Sequence, residues 1–203
     1  MKSLKLLKQQ LSLMKNYIHK ILIYFKTIKH LQLEQIIFQV LYRFFKFRKT
    51  TNFNINTDNK KKIEYVFQPK FNNLIDKGFF NFLNQKLEVN QWQNSNASKL
   101  WNYNLHYFDY INSNLSEETS LEIIYDWIEK NPPYTINAWE PYTTSIRIVN
   151  WVKYISKGKL NCVKIEQSLI QQALYLDANL EKHIKANHLF TNIKAMIFFK
   201  ILN

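Results

Sequence analysis

The sequence predicts an all-α protein, and three observations carry that reading. The first is punctuation: only two glycines, Gly78 and Gly158, and four prolines occur in 203 residues, too few for a sandwich or barrel built on many tight turns. The second is periodicity, with apolar residues recurring every three or four positions through most of the chain. The third is composition. A hydrophobic content of 46% and an aromatic content of 16% supply enough apolar surface to offset the entropy of ordering, which excludes disorder for most of the chain. The single cysteine, Cys162, rules out an internal disulfide framework and a cysteine-rich metal site, and no cofactor or metal is expected.

The first helix is an amphipathic arm. Leu4, Leu7, Leu11, Met14, Ile18, Ile21, Phe25 and Ile28 form one stripe, with Lys5, Lys8, Lys15 and Lys20 off it. A second helix is expected from about Leu33 to Phe47, ending in the basic segment YRFFKFRK, where positive charge suits a helix C-terminus. The polar run TTNFNINTDNKKK at 50–62 then reads as a linker between an arm at 1–49 and a domain at 63–203. The formal charge of +13 belongs almost wholly to this first part: residues 1–62 hold 14 Lys/Arg against Glu34 and Asp58. A basic arm of this kind either packs on its own domain, lies on an anionic membrane surface or forms a coiled coil. No nucleic-acid-binding motif accompanies the charge, so a nucleic-acid partner is not expected. The longest apolar run, ILIYF at 21–25, is far short of a bilayer span of roughly 20 residues. No cleavable signal is apparent, and a cytoplasmic or membrane-peripheral location is the default expectation.

Beyond the linker, FFNFLNQKL at 79–87 is a short helix candidate. SEETSLEIIYDWIEKNPP is a stronger one, with Ser116 as cap, acidic residues loading the first turn and Asn131-Pro132-Pro133 as a stop. TTSIRIVNWVKYISKG follows Pro141. KIEQSLIQQALYLDANLEKHI aligns Ile165, Leu169, Ala173, Leu176 and Leu180 on one face and carries His183 near its end. NHLFTNIKAMIFFKILN is the last helix, and it ends within an apolar run, as if the chain were cut there. Helices of this length with short connections suit a bundle or a ring of hairpins, and periodicity does not choose between them.

Three linked segments do choose. LWNYNLHYFDYIN (100–112), NPPYTINAWEPYTTSIRIVNWVKY (131–154) and LEKHIKANHLFTNIKAMIFF (180–199), in that order, resemble the N-terminal domain of heparinase II/III-like polysaccharide lyases. The resemblance covers roughly residues 75–203. It implies an incomplete (α/α) toroid of helical hairpins, followed in the family by an antiparallel β-sandwich part that this chain lacks and that a separate chain would supply. It also implies an anionic polysaccharide as partner and β-elimination at a uronic acid as the reaction. Such a reaction needs the carboxylate neutralised, a base for the adjacent proton and an acid for the leaving oxygen.

Carried over residue by residue, the family's Asn-His pair falls on Asn187 and His188. Asn187 would donate to the uronate carboxylate, and His188 would assist that neutralisation or transfer a proton. The family's catalytic Tyr and second His are expected in later sequence, which would leave this chain incomplete as an enzyme. A helix break near Lys185-Ala186 would put Asn187 at a helix N-terminus, a position that favours anions; an unbroken helix would leave the pair on its surface. Trp139 and Tyr142 are candidate sugar-stacking platforms, with core packing as the alternative. Arg147 is a candidate bidentate clamp on a sugar carboxylate, its alternative a buried salt bridge with Glu140 or Asp109. His106 either lines the cleft or is hydrogen-bonded in the core, and Asn192, one turn after His188, is placed to orient it. His183 is expected to close the preceding helix, solvated. Thr143 stands where the family has Pro, and Thr191 where some members have an acid, so a heparin-type subsite does not transfer. A carbohydrate-binding remnant and a peripheral membrane-associated protein are the competing functional classes.

Overall fold

The structure is a computed structural model that describes residues 2–44, 74–76, 78–113, 115–158, 163–184 and 186–202. The proposed linker at 50–62 lies outside them. The described chain is mostly helical and forms two compact units, Met1–Lys46 with Lys182–Ile184, and Phe47–Glu181 with Lys185–Asn203.

In the first unit, α1 spans Lys2–Ile28 and α2 spans Leu33–Phe44. Both are amphipathic as expected, and their apolar stripes are exposed: Met14, Ile18, Ile21 and Phe25 on α1, and Leu33, Ile37, Leu41 and Phe44 on α2. A different edge of α2 is occupied. The Tyr42 ring stacks on His183 with centroids 4.0 Å apart, and the Lys182 ammonium lies 5.7 Å from the Phe38 ring centre. His183 is therefore half-buried against an aromatic ring, not solvated at the end of the preceding helix. That helix stops earlier because Asn179 caps it: its backbone N–H donates to the Leu176 carbonyl at 3.0 Å and its side-chain amide to the Tyr175 carbonyl at 2.8 Å, satisfying carbonyls the last turn would leave open. Among the described residues no helix is long and apolar enough to cross a membrane.

Among the described residues of the second unit, residues 74–88 depart from the all-α expectation. Residues 79–87 are not a helix. Strands β1 (Leu74–Asp76), β2 (Phe79–Phe82) and β3 (Gln85–Glu88) form an antiparallel meander, with Phe80 opposite Leu87 and Phe82 opposite Gln85. The reason is local. Phe80 and Phe82 point inward and Asn81 outward, which is the period-two pattern of a strand. Leu83 and Asn84 both take left-handed φ, 53° and 59°, the requirement of a two-residue hairpin turn.

Five helices follow: α3 (Lys99–Tyr107), α4 (Glu117–Lys130), α5 (Pro141–Gly158), α6 (Val163–Ala178) and α7 (Ala186–Leu202), with a 3-10 turn at Asp109–Asn112. Ser98 and Ser116 cap α3 and α4, each accepting from a backbone N–H three residues on at 3.1 Å. Pro141 starts α5, where its missing N–H is no loss. Helix α5 is central, packing against α3, α6 and α7. Its inner side meets an aromatic core in which Phe108 stacks on Trp92 and takes the edges of Trp127 and Trp151. Phe108 reaches that place because it ends α3 in the left-handed conformation, φ 60°, turning the chain directly into the 3-10 segment.

Helix α7 begins at a sharp break. Ala186 has φ 48°, a left-handed conformation in which Cβ crowds the following carbonyl at a cost of about 1 kcal/mol. The break separates the turn after α6 from α7 and puts Asn187 and His188 in the first turn of a new helix. Ala186→Gly is expected to raise stability by about 0.5–1 kcal/mol, since glycine takes this φ freely; an unchanged or lower urea midpoint would show that the strain is absent.

Candidate functional site

Two helix starts, those of α5 and α7, bring Tyr142 and His188 together. Their rings lie 4.4 Å apart, tilted by 37°. Tyr107, the last residue of α3, presents its ring edge-on to Tyr142 at 6.2 Å. The His188 side chain is 39% exposed, so one side of the imidazole is held while the other stays open to a ligand. Asn187 precedes it, exposed, and its carbonyl accepts from the Thr191 hydroxyl at 2.7 Å. Thr191 thus serves the backbone of α7.

Beneath His188 lies a carboxylate that the sequence did not single out. Glu181, its side chain only 8% exposed, places Oε1 3.0 Å from His188 Nδ1. The other carboxylate oxygen accepts from the Asn192 amide at 3.2 Å. Asn192 is fully buried; its amide nitrogen also donates to Ser145 Oγ at 2.8 Å, and its carbonyl accepts the Glu181 backbone N–H at 2.8 Å. Ser145 in turn donates to the Pro141 carbonyl at 2.8 Å. Asn192 therefore reaches His188 through Glu181, whereas the helix spacing alone suggested a direct contact. Near this group, the Tyr103 hydroxyl hydrogen-bonds Glu140, which also pairs with Lys99 at 3.0 Å. The Tyr107 hydroxyl is pushed well above the usual phenol range, first by burial and then by the neighbouring Tyr142, Tyr103, Asp109 and Glu140; it stays protonated and available as a donor.

The remaining candidates lie elsewhere. Arg147 is fully buried and is not presented to a cleft. Its guanidinium donates to Gln172 Oε1 at 2.8 Å, the Ala138 carbonyl at 2.6 Å and Thr144 Oγ1 at 3.3 Å, and it sits 4.0 Å from the centre of the Trp127 ring. Neither Glu140 nor Asp109 is its hydrogen-bond partner, so both the clamp and the buried salt bridge give way to neutral acceptors and an aromatic face. Burial lowers its pKa to about 9, which leaves it charged at neutral pH. His106 is buried too, accepting at Nδ1 from the Trp127 indole N–H at 3.0 Å. Burial first, then the Arg147 charge, pushes its pKa down to about 3, opposed by a hydrogen bond with the Trp92 backbone. It is a neutral core histidine. Trp139 is 2% exposed, donates to the Asn131 carbonyl at 2.9 Å and packs against the Trp127 and Tyr175 rings, so it is not offered to a sugar. Thr143, buried, has no hydrogen-bond partner for its hydroxyl among the described residues. An apolar side chain would suit that place.

Of the seven residues predicted from sequence, the structure brings together Tyr142, His188 and Asn192, with Asn187 next in the chain, and assigns Arg147, His106 and Trp139 to the core. Glu181 was missed because a glutamate beside Lys182 in a charged stretch reads as surface. Its signal is spacing, seven residues before His188 and eleven before Asn192, which becomes meaningful only once a new helix is known to start at Ala186. Among the described residues, no group of three or more His, Cys, Asp or Glu side chains is arranged to hold a metal ion. No family model, no curated protein and no solved structure matches this chain.

Proposed function

We propose that the second unit is the toroid portion of a polysaccharide lyase and that it recognises a uronic acid at Asn187 and His188, with the carboxylate at Asn187. The observation that carries the reading is the start of α7. The strained Ala186 breaks the chain just before the Asn-His pair, which leaves Asn187 exposed in a helix's first turn beside a half-open imidazole braced by Tyr142. A carboxylate suits that position, where first-turn N–H groups and the helix dipole favour negative charge and an asparagine amide adds a donor. Neutralising the carboxylate makes the adjacent C–H proton easier to remove, which is what β-elimination demands. The family's tyrosine and second histidine are assigned to no residue of this chain, so the activity proposed for the chain itself is uronate recognition.

The test is a titration of the full chain with glucuronate-, galacturonate- and mannuronate-containing oligosaccharides, each beside its carboxyl-reduced counterpart. Binding of at least one uronate form over its reduced form is expected, weakened about tenfold or more by Asn187→Ala, as fits loss of a hydrogen bond to a charged group at about 1.5–3 kcal/mol. Equal binding of both forms, or none, contradicts the reading.

A further inference from the structure

We infer that Glu181 is the positioning residue of this site: it fixes His188 in the Nδ1–H tautomer and leaves Nε2 as an unprotonated acceptor facing the ligand. The inference follows from donors and acceptors alone, and it rests on the uronate reading only for the nature of the ligand.

The proton order along the chain of hydrogen bonds is set at both ends by backbone groups that have no choice. At one end the Glu181 backbone N–H must donate, so the Asn192 atom 2.8 Å away is its carbonyl oxygen. The other amide atom is then the nitrogen, with two protons to place. At the opposite end the Pro141 carbonyl must accept, and the Ser145 hydroxyl 2.8 Å away gives it its only proton. Ser145 Oγ therefore meets Asn192 as an acceptor, at 2.8 Å. The second Asn192 proton goes to Glu181 Oε2, at 3.2 Å. What remains is Glu181 Oε1 facing His188 Nδ1 at 3.0 Å, and an ionised carboxylate only accepts. Nδ1 must carry the proton. In the neutral imidazole Nε2 then has a lone pair.

This divides the labour at the site. In its neutral form His188 accepts and does not donate at Nε2, so a carboxylate oxygen has no hydrogen bond to gain there. A sugar hydroxyl does. The carboxylate falls to Asn187 and the first turn of α7, while a hydroxyl of the same uronate residue meets His188. The ligand class is thereby narrowed to sugars that offer both a carboxylate and a hydroxyl donor within one ring.

The tautomer can be read directly. Ring-¹⁵N-labelled full chain, with the His188 signals assigned by their loss in His188→Gln, is recorded at about pH 9, where an ordinary imidazole is neutral. Wild type is expected to show a protonated Nδ1 and an unprotonated Nε2. Glu181→Gln is expected to invert the pattern: Asn192 still needs an acceptor at the position of Oε2, so the new amide turns its oxygen there and its NH₂ toward Nδ1, which must then accept. A wild-type spectrum with the proton on Nε2 overturns the inference, as does an unchanged pattern in folded Glu181→Gln; if that variant does not fold, the wild-type spectrum decides alone. Adding a uronate oligosaccharide separates the two claims. A shift at Nε2 supports both, whereas the expected tautomer with no shift from any uronate keeps Glu181 in its role and counts against the uronate reading.

Discussion

Arg147→Ala is expected to destabilise the second unit by about 3–5 kcal/mol, the range for removing one member of a buried, hydrogen-bonded polar network. The guanidinium joins three separate parts of the chain: Gln172 on α6, the Ala138 carbonyl before α5, and the face of Trp127 on α4. Its removal leaves those acceptors buried without a donor, and it leaves a cavity beside Trp127 and Trp139. Arg147→Lys is expected to recover little, because one ammonium cannot match the planar fork that reaches several acceptors and stacks on the indole. Urea unfolding of the two variants checks this. A loss under about 1 kcal/mol for Arg147→Ala, combined with lost uronate binding, would instead make Arg147 the sugar clamp that its sequence context suggested.

Acid is expected to destabilise the protein through His106. Its pKa is held at about 3 in the folded chain, against an ordinary value near 6.5 in the unfolded one. Between those values the unfolded chain binds a proton that the folded chain does not, so stability rises with pH in this window. The contribution is fully present above about pH 6.5 and is lost as the pH falls toward about 3, at up to about 1.4 kcal/mol per unit. Unfolding free energies at pH 7.5 and pH 5 are therefore expected to differ by about 2 kcal/mol from this group. His106→Gln keeps an acceptor for the Trp127 indole and does not titrate, so it should lose that part of the slope. An identical slope in wild type and His106→Gln would show that His106 is not held neutral.

The physical reasons behind these two predictions also mark what the sequence could and could not disclose. Helices α4 and α5 are legible because their signals are local: Ser116 as cap, the first-turn acids, Pro141 at a helix start. The hairpin at 79–88 was misread because Phe79, Phe80, Phe82 and Leu83 suit one face of a helix as readily as a strand, and its turn uses Leu83-Asn84 in place of a glycine. The break at Ala186 is one of two alternatives that the sequence leaves open, and the residue itself argues against it, since alanine seldom takes positive φ. At the site, Tyr142 and His188 were named from sequence but their contact was not, because it joins residues 46 positions apart in the first turns of two different helices. The polar residues of the first two segments misled in a consistent way. Arg147 and His106 are charged or titratable residues that this protein uses as core material, paired with indoles and carbonyls. Sequence offers no sign of that use beyond the density of tryptophan around them. Glu181 shows the converse: buried and fully engaged, it looked solvated.

The central claim is recognition of a uronate carboxylate at the start of α7, and the paired titration of uronate oligosaccharides and their carboxyl-reduced counterparts tests it most directly. The account predicts that at least one uronate form binds, that its reduced form binds at least about tenfold more weakly, and that Asn187→Ala erases most of that difference with the fold intact. Binding that ignores the carboxyl group, or a preference that survives Asn187→Ala unchanged, would contradict it.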